Sequence, residues 1–299
     1  MDYTNKTSVH VTYPIVGALY AAERFIGKTE SVEKWNSTSD IQRHFMSDFY
    51  EKCKSEIPKI PEIESIADRD VSVINAWLKL HGFDIQLSPV PPSGLATACK
   101  LDVTGYWNTP GMSSQILGYD DATYPCVQMM YGYDLLNSDV VEEHVVRIST
   151  ESSDEVCMVM VDEVPSGFDM IEYAESVQNS LKPCNLEYDG LRFPMIDLDL
   201  EGSLEWLVGL GVDIASSDIS CYEIAEALQQ TKLKMNNEGF RVKSAAALSM
   251  EKCAPPQITE PYIINRPFLM WIRRPTLARP LLVGYFNTDA WKDPSGLEM

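Results

Sequence analysis

The apolar residues of this 299-residue chain change their spacing partway along, and that change restricts the fold more than any other feature. Up to about residue 80 they recur every three to four positions, the period of a helix with one buried stripe. Residues 14–25 carry Ile15, Leu19 and Ala22 on such a stripe, and Gly27-Lys28-Thr29 ends that helix. A short helix is expected at 31–35. Residues 40–54 place Ile41, Phe45, Phe49 and Cys53 at fourfold spacing, before Pro58 and Pro61 break the pattern. Residues 68–80 open on an Asp cap and bring Val71, Ile74, Trp77 and Leu78 to one face.

From about Leu95 the pattern is that of strands. They are expected at 96–106, 126–131, 145–149 and 156–161, the last two separated by the acidic turn 151–155. A helix at 169–181, a strand at 191–200 and a helix at 204–210 stopped by Gly211 come next. Strands at 268–273 and 281–286 close the chain. Helices and strands that do not alternate regularly indicate an α+β fold. No internal repeat and no Gly/Ser-rich linker divides the chain, so one domain over 1–299, large enough to bury a sizeable core, is expected.

Composition excludes several function classes. Hydrophobic residues make up 45% and charged residues 23%, the balance of a soluble globular protein. A net charge of −20 argues against nucleic acid as a partner, because phosphate binding needs a basic face. The longest apolar run, residues 15–22, is far short of the roughly 18 residues of a membrane span. The start MDYTNKTS has no basic and apolar leader pattern, so a cytoplasmic or host-cell cytoplasmic location is expected, with secretion left open. Asn5-Lys6-Thr7 and Asn36-Ser37-Thr38 are glycosylation sequons that matter only in the secretory pathway. Seven scattered cysteines without a CxxC pair read as free thiols in a reducing compartment.

Catalytic motifs are missing from the sequence. It has no GxSxG, HExxH, GxxxxGK[ST] or strand-borne GxGxxG. His10, His44, His81 and His144 stand in unrelated contexts, and the Glu142-Glu143-His144 run lacks a second histidine at helical spacing. Cys99, in the apolar stretch ATACKLDV, reads as a buried and inert thiol. The expectation is a protein that is not an enzyme and needs no cofactor or metal.

Several segments, taken in order, resemble the serpins. Asn265-Arg266-Pro267-Phe268, Ile272-Arg273-Arg274 and Leu281-Leu282-Val283-Gly284 resemble the family's C-terminal signature of strand, basic turn and closing strand. Asn237-Glu238-Gly239, followed by the alanine-rich SAAA, resembles the opening of the reactive loop. Ile74-Asn75-Ala76-Trp77-Leu78 is similar to the helix motif Ile-Asn-x-Trp-Val, and ATACKLDVTGYW with Trp107 and Pro110 to the strand carrying Gly-x-Trp-x-x-Pro. Val127-Gln128-Met129-Met130, Phe193-Pro194 and Leu210-Gly211-Val212 match three further segments. The resemblance implies a serpin-like fold with a large central β-sheet, two smaller sheets and surrounding helices. That fold would be reduced on the N-terminal side, where the first helix and much of the region between the third and fifth are missing. Compactness and free thiols resemble the small intracellular serpins of poxviruses, which implies a viral protein and immune modulation.

What the resemblance implies for function is a protease inhibitor acting as a suicide substrate through a loop at about 239–262. The cleaved loop enters the central sheet as a new strand, driven by a native state held above its most stable form. Alternation suits such entry: Phe240, Val242, Ser244, Ala246, Leu248 and Met250 fall on one face, and Arg241, Lys243, Ala245, Ala247, Ser249 and Glu251 on the other. Spacing from Gly239 puts either Lys252 or Cys253 before the cleaved bond, so the candidates are Lys252, Cys253 and Ala254. A Lys252–Cys253 bond would suit a trypsin-like protease. The hinge, Glu238, Gly239, Phe240, Arg241 and Val242, departs from the family's small and threonine-rich pattern. The family's Asn–His latch across the opening strands falls by position on Cys99 and Gln229, with Trp107 in the same region. The alternative is a non-inhibitory serpin-like protein that binds a host or other partner protein, its hinge impaired.

Overall fold

The computed structural model describes residues 6–91, 94–184, 186, 188–215, 221–240 and 260–298. The helical first third begins with α1 (Thr12–Ile26), whose Pro14 lies in the first turn, where a helix leaves its backbone N–H groups free. Tyr13, Val16 and Leu19 on its buried stripe join the main core. The helix expected over 40–54 is interrupted. It runs as α2 (Asp40–His44), capped by Ser39, a π-turn over Phe45–Tyr50, and α3 (Glu51–Cys53). The wider π-turn aims Phe45, Met46, Phe49 and Tyr50 inward together, with Phe45 and Phe49 stacked at 5.9 Å. Asp70, rather than Asp68, caps α4 (Val71–Leu80), and α5 (Asp169–Asn179) covers the far side.

Among the described residues the strands form five sheets. The largest has seven strands in the order β1 (Ser8–His10), β20 (Leu282–Phe286), β19 (Phe268–Arg273), β10 (Glu155–Met160), β9 (Val145–Ser149), β8 (Tyr133–Asn137) and β11 (Lys182–Pro183). Its inner strands are apolar on both faces, as strands sandwiched within a protein must be. A four-stranded sheet runs β18 (Tyr262–Ile263), β12 (Leu191–Pro194), β7 (Thr123–Met129) and β6 (Met112–Leu117). A second one runs β13 (Ile196–Ser203), β16 (Leu228–Met235), β17 (Gly239–Phe240) and β5 (Gly105–Tyr106). The remaining two are β15 (Cys221–Glu223), β14 (Gly211–Ile214) and β2 (Val32–Asn36), and the ribbon of β3 (Ile63–Asp68) and β4 (Ala96–Leu101). Helices and strands in this arrangement make the α+β architecture the sequence implies, divided more finely than one large and two small sheets.

Three further expectations change. Residues 31–35 form no helix but enter β2, because Trp35 pairs with Val212 and its ring N–H donates to Glu23 at 2.6 Å. The helix expected at 204–210 shrinks to a 3-10 turn, Glu205–Leu207, ended by extended Val208 and by Gly209 at φ +82°. The single strand expected over 191–200 is two, β12 and β13, which separate at Met195 into different sheets.

Candidate functional site

The site lies where β16 ends and the chain reverses. Asn236 is buried; its side-chain oxygen accepts from the Glu238 N–H at 2.8 Å, and its own N–H donates to the Gly239 carbonyl at 2.9 Å. Trp107 grips this turn twice, its ring N–H on the Asn236 carbonyl at 2.9 Å and its backbone N–H on the Glu238 carbonyl at 3.1 Å. Glycine is required at 239. A Cβ there would stand 2.2 Å from the Gly105 carbonyl oxygen and 2.7 Å from the Tyr106 Cα.

The returning chain then enters the sheet. Gly239 pairs with Tyr106 and Phe240 with Gly105 on one side, while Phe240 pairs with Met235 on the other, all antiparallel. Two hinge residues therefore already lie as a strand between β5 and β16. Phe240 is 2% exposed and meets Trp107 edge-on at 6.0 Å. Its ring has room because residue 105 is glycine: a Cβ there would lie 2.5 Å from the Phe240 ring.

Beyond Phe240 the two walls are no longer bridged among the described residues. The ladders of β4 run only to β3, and those of β16 run to β13 along its whole length but reach β17 only at Met235. Two edges, each with a row of backbone donors and acceptors, thus flank a slot. A cavity of about 1060 Å³ extends there, floored by Ile15 and Leu19 of α1 and covered by residues 82–90.

Both predicted latch positions line this slot without touching each other through any hydrogen bond among the described residues. Gln229 donates across to the Val11 carbonyl at 2.9 Å. The Cys99 sulfur fits the notch left by Gly17 on α1, where a Cβ would lie 2.4 Å from it. Burial pushes the Cys99 thiol up to about 12, which keeps it protonated and unreactive. Glu238, Gly239, Phe240 and Trp107 are brought together as described. Arg241, Val242, Lys252, Cys253 and Ala254 lie outside the described residues.

Sequence reasoning met Gly105 only within the Gly-x-Trp-x-x-Pro resemblance and did not single out Gly17 or Asn236. An isolated glycine within an apolar strand or helix pattern is the signal for the first two, since it marks close approach. No pattern announces Asn236. Elsewhere, His144 lies 3.8 Å from the Cys184 sulfur and 2.9 Å from Asn137, all through one ring nitrogen, so no relay passes through the imidazole. Among the described residues no group of three or more His, Cys, Asp or Glu side chains could hold a metal, and no helix is long and apolar enough to cross a membrane.

No protein-family model matches the sequence, and no curated protein matches it. Solved structures do. Serpin48 of the insect Tenebrio molitor superposes with a TM-score of 0.60 at 12% identity, covering 95% of this chain and 92% of that one. Tengpin, a thermophilic serpin in its native state, gives 0.56 at 14% identity, covering 96% and 90%. Thyroxine-binding globulin in complex with thyroxine gives 0.56 at 12% identity, covering 96% and 94%. This chain has the serpin fold over nearly its whole length.

Proposed function

We propose that the chain is a serpin, a single domain over 1–299, that inhibits a protease as a suicide substrate. One observation carries this reading: β17 already occupies the head of a slot whose two walls are strand edges without a partner among the described residues. A protease serine would attack the carbonyl of Lys252, the bond to the Cys253 nitrogen would break with that nitrogen taking a proton, and an acyl-enzyme ester would remain. The freed loop would then follow Phe240 into the slot.

Register says what such a strand would meet. Continued from the Met235–Phe240 pair, Val242 would stand opposite Leu233 and Ser244 opposite Thr231, on the buried face of β16. Arg241 would oppose Lys234, and Lys243 would oppose Lys232, and like charges directly opposite are unfavourable. Each ladder hydrogen bond adds about 0.5–1.5 kcal/mol net. Fixing each residue costs about 1–2 kcal/mol. Backbone terms therefore nearly cancel, and burial of the inner side chains decides whether insertion runs forward.

The like-charge pairs favour one second reading, a non-inhibitory serpin that engages a partner protein through its surface. Thyroxine-binding globulin shares the fold and binds thyroxine, so the fold alone does not fix the role. Placement in a reducing compartment is part of the proposal, supported by the free Cys53, Cys99, Cys126, Cys157, Cys184 and Cys221. So is kinship with the small poxvirus serpins, supported by the sequence resemblance.

Incubation with a trypsin-like protease separates the two readings on one denaturing gel. Inhibition gives a complex that survives SDS and a large rise in melting temperature on loop cleavage. Cleavage with neither outcome leaves the binding role.

A further inference from the structure

Strands β11, β8 and β9 bring three side chains to one end of the seven-stranded sheet. Lys182 pairs with Asn137 and Pro183 with Leu136, so the chain leaving β11 delivers Cys184 beside β8, its N–H donating to the Leu135 carbonyl at 3.3 Å. On the other side of β8, Leu136 pairs with Val145 at the start of β9, which sets His144 next to the same end. Flanking charges are already paired, Glu143 with Arg266, Lys182 with Asp139 and Asp134 with Arg147.

The His144 Nδ1 atom stands 2.9 Å from the Asn137 side-chain oxygen and 3.8 Å from the Cys184 sulfur. An amide oxygen only accepts, so Nδ1 carries the hydrogen and Nε2 keeps the lone pair. The imidazole therefore faces the sulfur as a donor. Its N–H supports the sulfur once the thiol proton has gone to solvent, and Nε2 can take up a proton in turn, which leaves an imidazolium beside a thiolate.

Cys184 differs in this from the other described cysteines. Burial pushes the Cys53 and Cys99 thiols up to about 12 and raises those of Cys126 and Cys157 as well, so none of the four is a ready nucleophile. Cys221 lies exposed on β15, whereas Cys184 is half-buried and its sulfur meets an imidazole.

The same imidazole packs on the start of β18, close to where the described chain resumes. Its ring lies 5.8 Å from Tyr262 and 6.2 Å from Tyr188, and those two rings meet edge-on at 5.3 Å. The Tyr262 hydroxyl donates to the His144 carbonyl at 3.2 Å, and its N–H to the Gly190 carbonyl at 2.9 Å. Because β18 is only two residues long, packing at buried Tyr262 does much to hold it.

We infer that Cys184, primed by His144 and Asn137, is a modification site for small disulfides, and that a group attached there loosens β18 by displacing the imidazole from Tyr262. The small disulfide itself is the oxidant. The Cys184 thiolate attacks one of its sulfurs, a new S–S bond forms as the old one breaks, and the departing thiolate takes up the proton that Cys184 released. Cys184 is half-buried and already in contact with the ring, so the attached group has to push against it. The site stands apart from the reading of the loop, and it makes the anchor of β18 respond to oxidation.

The test treats the full chain with iodoacetamide at neutral pH and maps alkylation by mass spectrometry. Cys184 should react about tenfold faster than Cys221 despite its lower exposure, as expected where a charge-assisted hydrogen bond supports the thiolate. His144→Gln keeps a hydrogen-bonding side chain that cannot become an imidazolium. It should remove that lead and move the pH profile of Cys184 labelling upward, with Cys221 unchanged. Equal rates at Cys184 and Cys221 in the parent overturn the primed thiol, and so does a His144→Gln chain that keeps the lead. The second arm forms the mixed disulfide with glutathione disulfide and follows hydrogen exchange, with Cys184→Ser as the control. The Tyr262 and Ile264 amides, bonded to Gly190 and Arg192, should quicken about tenfold in the conjugate and recover when dithiothreitol removes the group, while β10 amides stay as they were. Failure of glutathione disulfide to modify Cys184 overturns the site itself. A conjugate whose Tyr262 and Ile264 amides exchange at the parent rate overturns the link to β18.

Discussion

The seven-stranded sheet and the slot are built from similar strands and differ in how many edges are closed. In the first, β10 is paired along both sides, by β9 and β19, and Val156, Cys157, Met158 and Val159 have no exposed surface. In the second, β16 is paired fully on one side and, among the described residues, at a single residue on the other. A strand paired along both sides has no more ladder hydrogen bonds to gain, so its stability goes into holding shape. An open pair of edges keeps unused capacity, which only an entering strand can realise. On the proposed reading, the difference marks the part of the molecule that would change state.

The strongest test of that separation is the tie between the two parts. Arg274, just beyond β19, binds Glu62, just before β3, through two bonds of 3.0 and 2.8 Å, and binds fully buried Asp154 through two more of 2.8 and 2.9 Å. The guanidinium holds the Glu62 carboxyl below its usual range. Replacing Arg274 with Met keeps most of the volume and strands a buried carboxylate, a change that costs about 3–5 kcal/mol. Urea unfolding measures it. If the two regions are energetically distinct, hydrogen exchange in the variant will quicken in β3 and β4 well before β10 and β19. A uniform increase would mean that they open as one.

Glycines in the two regions give a matched pair. A Cβ at Gly284 in β20 would lie 2.7 Å from the Phe286 ring, and one at Gly105 would lie 2.5 Å from the Phe240 ring. Overpacking of this kind costs about 1–3 kcal/mol. Phe286 is fully buried and paired with Phe268, so Gly284→Ala should fall at the upper end. Phe240 stands at the mouth of the slot and can leave it, so Gly105→Ala should fall at the lower end, with a change in Trp107 fluorescence as the ring departs. In a double-mutant cycle Phe240→Ala should relieve most of the Gly105→Ala penalty, because the new methyl then occupies vacated space. Equal penalties at the two glycines would erase the contrast between closed and open sheets.

Much of this was legible in the residues, for reasons that differ by region. Strands β9 and β19 match their expected limits because each is an apolar run buried on both faces, where sequence and environment agree. No strand was expected over β16, since LQQTKLKM alternates weakly and keeps three of its polar side chains partnered rather than exposed: Gln229 on Val11, Gln230 on Asp199, Lys232 on Asp84. The hinge was legible through Glu238-Gly239, but the accommodation of Phe240 was not, because its partner Gly105 is more than 130 residues away in the chain. The path of residues 82–90 over the slot was invisible for a related reason. The Asp84 N–H donates to a Gln230 side chain that Asp199 orients, a geometry that no spacing in one sequence encodes.

The smallest expected effect lies at the edge of the closed sheet. His10 on β1 pairs with Val283 and approaches the Phe168 ring at 6.5 Å, and burial lowers its pKa from the usual 6.5. Above that value the imidazole is neutral in both folded and unfolded chains, and it contributes no pH dependence. As the pH drops below about 6.5, the unfolded chain takes up a proton that the folded one resists, so stability falls. Glu175, whose carboxyl burial raises above its ordinary range, adds a slope of the opposite sign, so the difference between parent and His10→Gln isolates the imidazole. Melting temperatures between pH 7 and 5.5 should therefore decline in the parent and decline less in His10→Gln. Val11, next in the chain, accepts from Gln229 beside the slot, so only if the two sheets are energetically distinct will the same titration leave Trp107 fluorescence unmoved. A coupled change at Trp107 would show that the closed sheet transmits strain to the hinge after all.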